Sequence, residues 1–411
     1  MPSTLPNEVY IEILALAVHM GRTWGEDMAM RGAIALVCRL WRFIVNSDAS
    51  IWRNVIVRYG MAWKHIAFVL DRAAHMSPPL NILVNTEVYS SGKTIGPCPN
   101  EDSLLHWLSS VGPLLAELTP RADRIEVRSF NQPAVRSILT AMEFSTAYAV
   151  SDLFFAASSP HDAPTSMPGP GGDSERLDLL GITPYWDATV YDSLVELRLA
   201  EITDLFPWPA LRMALESCHV LRTLGLTNVA CRNTQDGEAI SLPHLVVLHF
   251  TYTSVAHVAV LRLIITPGVT ELRLQSFGRR GWRELFNAVS PLFPSLQQLC
   301  LAIWSYSEVA IHVFPRLHNV VCVDIRHTSP KFLEEMREAT QRPLMRRLRK
   351  WIVPSGITVA QANRLLTWPG EGIEALYEGV PWNKDVDGSR YLRWTKVDWE
   401  FRVRGVKSWD D

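Results

Sequence analysis

Leu194-Val195-Glu196-Leu197-Arg198-Leu199-Ala200 puts leucines at the first, fourth and sixth positions of a seven-residue run. The last two alternate with charged residues, as in a strand with one buried face. The same apolar-x-x-apolar-x-apolar unit returns at Leu221/Leu224/Leu226, Leu245/Leu248/Phe250, Val269/Leu272/Leu274 and Leu296/Leu299/Leu301, with a weaker copy at Leu317/Val320/Cys322. The starts are 27, 24, 24, 27 and 21 residues apart. Pro243, Pro294 and Pro315 each stand two residues before a copy and punctuate strand entry. Helix-like segments such as Ala210 to Cys218 and Trp282 to Val289 lie between copies. One strand and one helix cannot bury their own apolar faces, so successive units must stack.

These intervals fall within the roughly 20–29-residue period of leucine-rich repeats, which the array resembles. The asparagine that such repeats place at the turn is mostly missing. Eight residues past each start stand Ile202, Val229, Thr253, Phe277 and Trp304. The expected array is therefore irregular. Residues between its core leucines would face outward, and Glu196, Arg198, His249, Glu271, Arg273 and Gln298 form the candidate face for a target protein. Arg198 and Arg273 occupy the same place in their copies and suggest a charged stripe.

Upstream, Leu80 to Val84 and Ile125 to Val127 read as isolated strands of period two. Residues 158–174 are rich in Pro, Gly and Ser and read as a flexible loop. Downstream, Lys331 to Trp351 is helix-like and Tyr391 to Val406 alternates like a terminal strand, together a capping tail. At the N-terminus one helix is expected over 5–18, with Pro6 at its first position and Glu8 in its first turn. After a polar break, a second helix is expected from about Ala29 to Val45, and a third over Trp63 to Ala74.

The order Leu5-Pro6-Asn7-Glu8-Val9, Ile13-Leu14, Val37-Cys38-Arg39-Leu40-Trp41, Ile51-Trp52 resembles the F-box. The resemblance covers residues 5 to about 57, with His19 to Met30 longer than the family's usual connection. It implies a trihelical module that docks on the Skp-type adaptor of a cullin–RING ubiquitin ligase. It assigns that docking to Leu5, Pro6, Val9, Ile13, Leu14, Val37, Cys38, Trp41 and Trp52. The expected fold class is α/β: a small F-box-like helical module, then an irregular leucine-rich-repeat-like solenoid. The expected divisions are the helical module at 1–58, a linking helix and first strands at 59–120, repeats at 121–330 and a cap at 331–411. The implied function is substrate recognition in an SCF-type ligase. The alternative is a repeat scaffold unrelated to ubiquitin, whose N-terminal helices merely cap the array.

Composition is that of a globular chain: 411 residues, 48% hydrophobic and 20% charged. A net charge of −2 gives no general pull toward nucleic acid or anionic membrane. The longest apolar run, Val258 to Ile265, is too short for a membrane span. The six cysteines lack zinc spacing and read as reduced thiols, which places the chain in the cytoplasm or nucleus. Ser91-Gly92-Lys93-Thr94 ends like a phosphate-binding loop, but Glu87 stands where that loop needs glycine. The basic stretch Arg342 to Lys350 reads as a solvated helix end. No hydrolase or zinc-protease motif occurs, so neither catalysis nor a cofactor is expected.

Overall fold

The computed structural model describes residues 6–19, 24–61, 63–74, 79–86, 89–90, 93–94, 101–129, 132–143, 150–157, 174–182, 191–202, 207–234, 237–252, 255–276, 293–303, 319–324, 350–353, 374–377 and 380–381. The chain divides into two compact units, Met1–Gly268 and Val269–Asp411.

The first unit opens with α1 (Asn7–His19), α2 (Trp24–Val37) and α3 (Arg39–Ser47). The expectation of one continuous helix from Ala29 to Val45 is overturned, because the chain breaks at Cys38. Cys38 is extended (φ −158°, ψ 172°), and its Sγ accepts a hydrogen bond from the Trp41 N–H at 3.4 Å. A thiol acting as N-cap restarts the helix in a new direction, while apolar spacing runs on across the break and conceals it. A 3₁₀ turn at Ala49–Trp52 then delivers the chain into β1 (Asn54–Arg58).

After β1 come α4 (Trp63–Ala74), β2 (Leu80–Asn85), a hairpin of β3 (Tyr89–Ser90) and β4 (Lys93–Thr94), and α5 (Glu101–Leu118). They are followed by β5 (Ala122–Ser129), α6 (Gln132–Ala141), β6 (Asp152–Ala157), β7 (Arg176–Leu180) and β8 (Glu196–Ala200). The unit ends with α7 (Trp208–Ser217), β9 (Thr223–Thr227), β10 (Ile240–Ser241), β11 (Val247–Tyr252), α8 (Val255–Arg262) and β12 (Ile264–Ile265).

Eight of these strands form one parallel sheet in the order β1-β2-β5-β6-β7-β8-β9-β11, and β10 pairs with β12 apart from it. Each new strand is added on the far side of the last, so the order never reverses. Leu80 to Val84 and Ile125 to Val127 are thus not isolated strands. They are early members of the sheet, which already begins at Asn54, inside the stretch expected to be purely helical.

One register runs through all eight strands. Val55, Ile82, Ile125, Leu153, Leu177, Leu197, Leu224 and Leu248 are lateral neighbours. All are buried, as are Val57, Val84, Val127, Phe155, Leu179, Leu199, Leu226 and Phe250 two residues on. Strand alternation sends these two rows to one face. Helices α4 and α6 contact the sheet at β1 and at β5 and β6.

Turns leaving the strands follow a shared solution that does not need the missing asparagines. Gly181, Glu201 and Asn228 directly follow β7, β8 and β9, and all three have positive φ (65°, 56° and 51°). Their N–H groups donate to Ala200, Thr227 and Thr251 O at 2.8, 2.8 and 2.9 Å. The left-handed residue therefore sits one place before Ile202 and Val229, which are free to be buried. Thr253, Phe277 and Trp304 lie outside the described residues.

The second unit contains β13 (Glu271–Ser276), β14 (Gln298–Ile303), β15 (Cys322–Asp324), β16 (Lys350–Val353), β17 (Glu374–Tyr377) and β18 (Val380–Pro381). β13 to β17 pair in parallel in chain order, and β18 is antiparallel to β17. Lys350 and Trp351 are thus in a strand, which corrects the end of the helix expected over Lys331 to Trp351. The loop over 158–173, the segment Trp282 to Val289 and the alternating stretch Tyr391 to Val406 lie outside the described residues. No described helix is long and apolar enough to cross a membrane.

Candidate functional site

Two surfaces of the first unit carry most of the sequence-derived candidates. One is on the N-terminal helices. Pro6 is exposed, and its carbonyl accepts from the Val9 and Tyr10 N–H groups at 3.1 and 3.3 Å, which starts α1. Val9 is half-buried, Ile13 is 46% exposed and Val37 is 60% exposed. Cys38 is exposed, and Trp41 is half-buried. Leu14 and Trp52 are buried instead. Trp52 donates from Nε1 to Val45 O at 2.7 Å, meets Phe68 edge-on at 5.3 Å and lies under the Arg31 guanidinium at 4.9 Å. These two residues therefore hold the helices together. Leu5 lies outside the described residues.

Sequence reasoning missed further exposed apolar side chains here: Leu16, Leu36 (78% exposed), Leu40 and Phe43 (68% exposed). Leu36, Val37, Leu40 and Phe43 fall within eight residues. Fully burying one such side chain is worth about 1.5–3 kcal/mol. Scattered exposed leucines need no explanation, but four this close together mark an unfilled contact.

The other surface is the face of the sheet opposite the two apolar rows. In lateral order its central row reads Ile56, Leu83, Glu126, Phe154, Asp178, Arg198, Gly225 and His249. The flanking row places Arg124, Asp152, Arg176 and Glu196 side by side. Four arginines and four carboxylates thus meet across β5 to β8. Glu126 is fully buried and accepts from Arg124 Nη2 at 3.2 Å and Arg128 Nε at 2.6 Å. Arg124 also reaches Asp152 at 3.5 Å, and Arg128 lies over the Phe154 ring at 5.0 Å. Glu196 pairs with Arg176 at 3.5 Å and closely with Arg198.

Asp178 stands between Phe154 and Arg198 without an ion pair of its own among the described residues. Burial pushes its carboxyl up to about 7, opposed by Arg198 and reinforced by Asp152, Glu196 and Glu126. Just after β8, Glu201 is also raised, first by burial and against the Asn228 amide that donates to it at 2.8 Å.

Of the sequence candidates, Glu196 and Arg198 belong to this lattice, and His249 is buried in the same row. Glu271, Arg273 and Gln298 lie in the second unit. There Arg273 pairs closely with Glu271, and the Gln298 amide approaches Cys300 Sγ at 3.5 Å. Arg198 and Arg273 are each neutralised by the glutamate two residues earlier on the same strand. Arg124, Glu126, Arg128, Asp152, Arg176 and Asp178 were missed although Val150/Leu153/Phe155 in β6 carries the full apolar unit; in β5 and β7 the first position is held by the small Ala122 and by the polar Ser174.

Among the described residues no group of His, Cys, Asp and Glu could hold a metal ion. Cys38, Cys218, Cys231, Cys300 and Cys322 are in the reduced form, and burial pushes Cys218 and Cys231 up to about 12, so both are inert at neutral pH. Lys93 and Thr94 lie in the β3–β4 hairpin, not at a strand-to-helix phosphate loop.

No family model matches this chain, and no curated protein does. Among solved structures, the crystal structure of a protein from Bacteroides fragilis matches 64% of this chain and 67% of its own. Identity is 12% and the TM-score is 0.35.

Proposed function

We propose that this chain is a substrate-recognition adaptor of an SCF-type cullin–RING ubiquitin ligase. Helices α1 to α3 act as an F-box and dock on a Skp-type adaptor. The sheet units form an irregular leucine-rich-repeat-like solenoid that holds a target protein. The chain contributes no reacting group. It raises the target's effective concentration beside a ubiquitin-conjugating enzyme, in the cytoplasm or nucleus.

The observation that carries this reading is the exposed apolar set Ile13, Leu36, Val37, Leu40 and Phe43, next to the Val37-Cys38-Arg39-Leu40-Trp41 motif. A cap that only closed an array would turn such side chains inward. The burial of Leu14 and Trp52 favours a second reading, in which the helices are structural and the chain is a protein-interaction scaffold unrelated to ubiquitin.

Co-purification with a Skp-type adaptor separates the two. The wild type is expected to bind. Leu5→Ala/Pro6→Ala and Ile13→Asp/Val37→Asp are expected to lose binding with melting temperatures unchanged. A folded wild type that binds no Skp-type adaptor leaves the scaffold reading.

A further inference from the structure

Arg39, Arg42 and Phe43 on α3, with Asn46 and Ser47 one turn further, face Arg72 on α4 across an open cleft of about 380 Å³. That volume lies within the roughly 300–1,000 Å³ of small-ligand sites. Three of the six lining residues are arginines and none is acidic. Asp48 and Asp71, their close neighbours in sequence, do not line it. This cleft differs from the charge lattice of the sheet, where every arginine meets a carboxylate.

Two of the arginines are held in place. Arg42 Nε donates to Ala35 O at 2.9 Å, and the Arg72 guanidinium lies over the Phe68 ring at 5.2 Å. Arg72 Nε is buried and has no hydrogen-bond partner among the described residues. Fixed, planar guanidinium groups lose little entropy when they bind an anion. The C-terminal end of α3 opposes an anion with only about half a negative charge, against three full positive ones.

The geometry points to a site for a phosphorylated serine or threonine side chain of a partner peptide, clamped by Arg39, Arg42 and Arg72. A carboxylate satisfies one guanidinium fork and leaves the other charges uncompensated. A phosphate monoester carries about −1.5 to −2 charge and three acceptor oxygens, so it can bridge several forks. The exposed Phe43 ring offers apolar contact to a residue beside the phosphate. A nucleic acid would need a basic track with several stacking rings, and the cleft has one ring. This inference does not rest on the ligase reading, because adaptor docking and peptide binding are measured separately.

The test is fluorescence anisotropy with the full chain at about 0.1 M salt, where long-range attraction is screened. The probe is a fluorescein-labelled peptide bearing one phosphoserine between two leucines. Saturable binding at least about tenfold tighter than that of the unphosphorylated peptide is expected. Arg39→Ala and Arg72→Ala are each expected to weaken it about tenfold or more, and Arg39→Lys by less. Arg72 also packs on Phe68, so Arg39→Ala, on the exposed side of α3, decides if Arg72→Ala loosens the fold. Equal affinity for the two peptides, or affinity unchanged by Arg39→Ala, overturns the proposal. So does tighter binding of a single-stranded oligonucleotide, or of inorganic phosphate, than of the phosphopeptide.

Discussion

Glu126 shows how a charged residue survives inside this sheet. Its carboxylate is out of water, so it must be matched by charge and by hydrogen bonds. Arg124 and Arg128, two positions either side on the same strand, supply both. Glu126→Leu would leave two guanidinium groups facing an apolar side chain. Breaking a buried pair costs about 3–5 kcal/mol, and the lower end is expected because Arg124 can turn to Asp152. Replacing all three residues by apolar ones should cost far less. Urea unfolding of the single and triple variants measures the contrast, and equal losses would refute the account. Asp178 behaves differently, since it has no ion pair among the described residues and Arg198 offsets its burial only in part. Its folded value of about 7 lies above the ordinary 3.8, so the folded chain holds this proton more tightly than the unfolded chain. The stabilisation is complete below about pH 4 and is lost as pH rises toward 7. The slope is at most about 1.4 kcal/mol per pH unit. Asp178→Asn, which cannot ionise, should lose this dependence and be more stable than wild type at pH 8. Urea midpoints of both proteins at pH 5 and pH 8 check it. An identical pH response in the two would show that Asp178 is not the titrating group.

Among the elements, α5 and α6 approach so closely that glycine is required. A Cβ on Gly112 would lie 2.9 Å from Ala141 O and 3.0 Å from Ala141 Cβ. Alanine is better than glycine within a helix by about 1 kcal/mol. Overpacking costs about 1–3 kcal/mol, and the obstacle here is backbone, which cannot swing aside. Gly112→Ala is therefore expected to destabilise by up to about 2 kcal/mol, read as a lower thermal midpoint. A rise in midpoint would mean that α6 shifts freely. Elements also show where the sequence could be read. Strands β8, β9, β11, β13 and β14 were legible because each carries an apolar residue at all three repeat positions. β2, β5 and β7 hold Pro79, the small Ala122 and Ser174 at the first position, so their kinship was hidden although the later two positions obey the rule, whereas β1 and β6, with Trp52 and Val150 there, obey it in full and could have been read. The helix break at Cys38 was hidden for another reason. Capping is a matter of backbone angles, and apolar spacing alone does not report them.

For the molecule as a whole, the decisive quantity is lateral register, which no single strand's sequence contains. Glu126, Phe154, Asp178 and Arg198 come from four separate strands and become neighbours only because each strand enters the sheet at the same phase. The face's charge balance is likewise a property of neighbouring strands. Sequential parallel order has an energetic consequence too. Within the first unit each strand leans on the one before and the one after, so the coupling should be mainly between nearest neighbours. Leu197 lies in the buried row at β8, between Leu177 and Leu224. Leu197→Ala removes core volume and should cost about 2–5 kcal/mol. If coupling is local, amide exchange should quicken in β7, β8 and β9 while β1 and β2 stay close to wild type. Hydrogen exchange with mass spectrometry resolves these segments. Equal acceleration from β1 to β11 would instead mean that the unit opens as one block, as in a sheet whose core is shared by all its strands. A local response would favour repeat-like stacking, in which a substitution on the β5 to β8 face leaves the stability of the N-terminal helices unchanged.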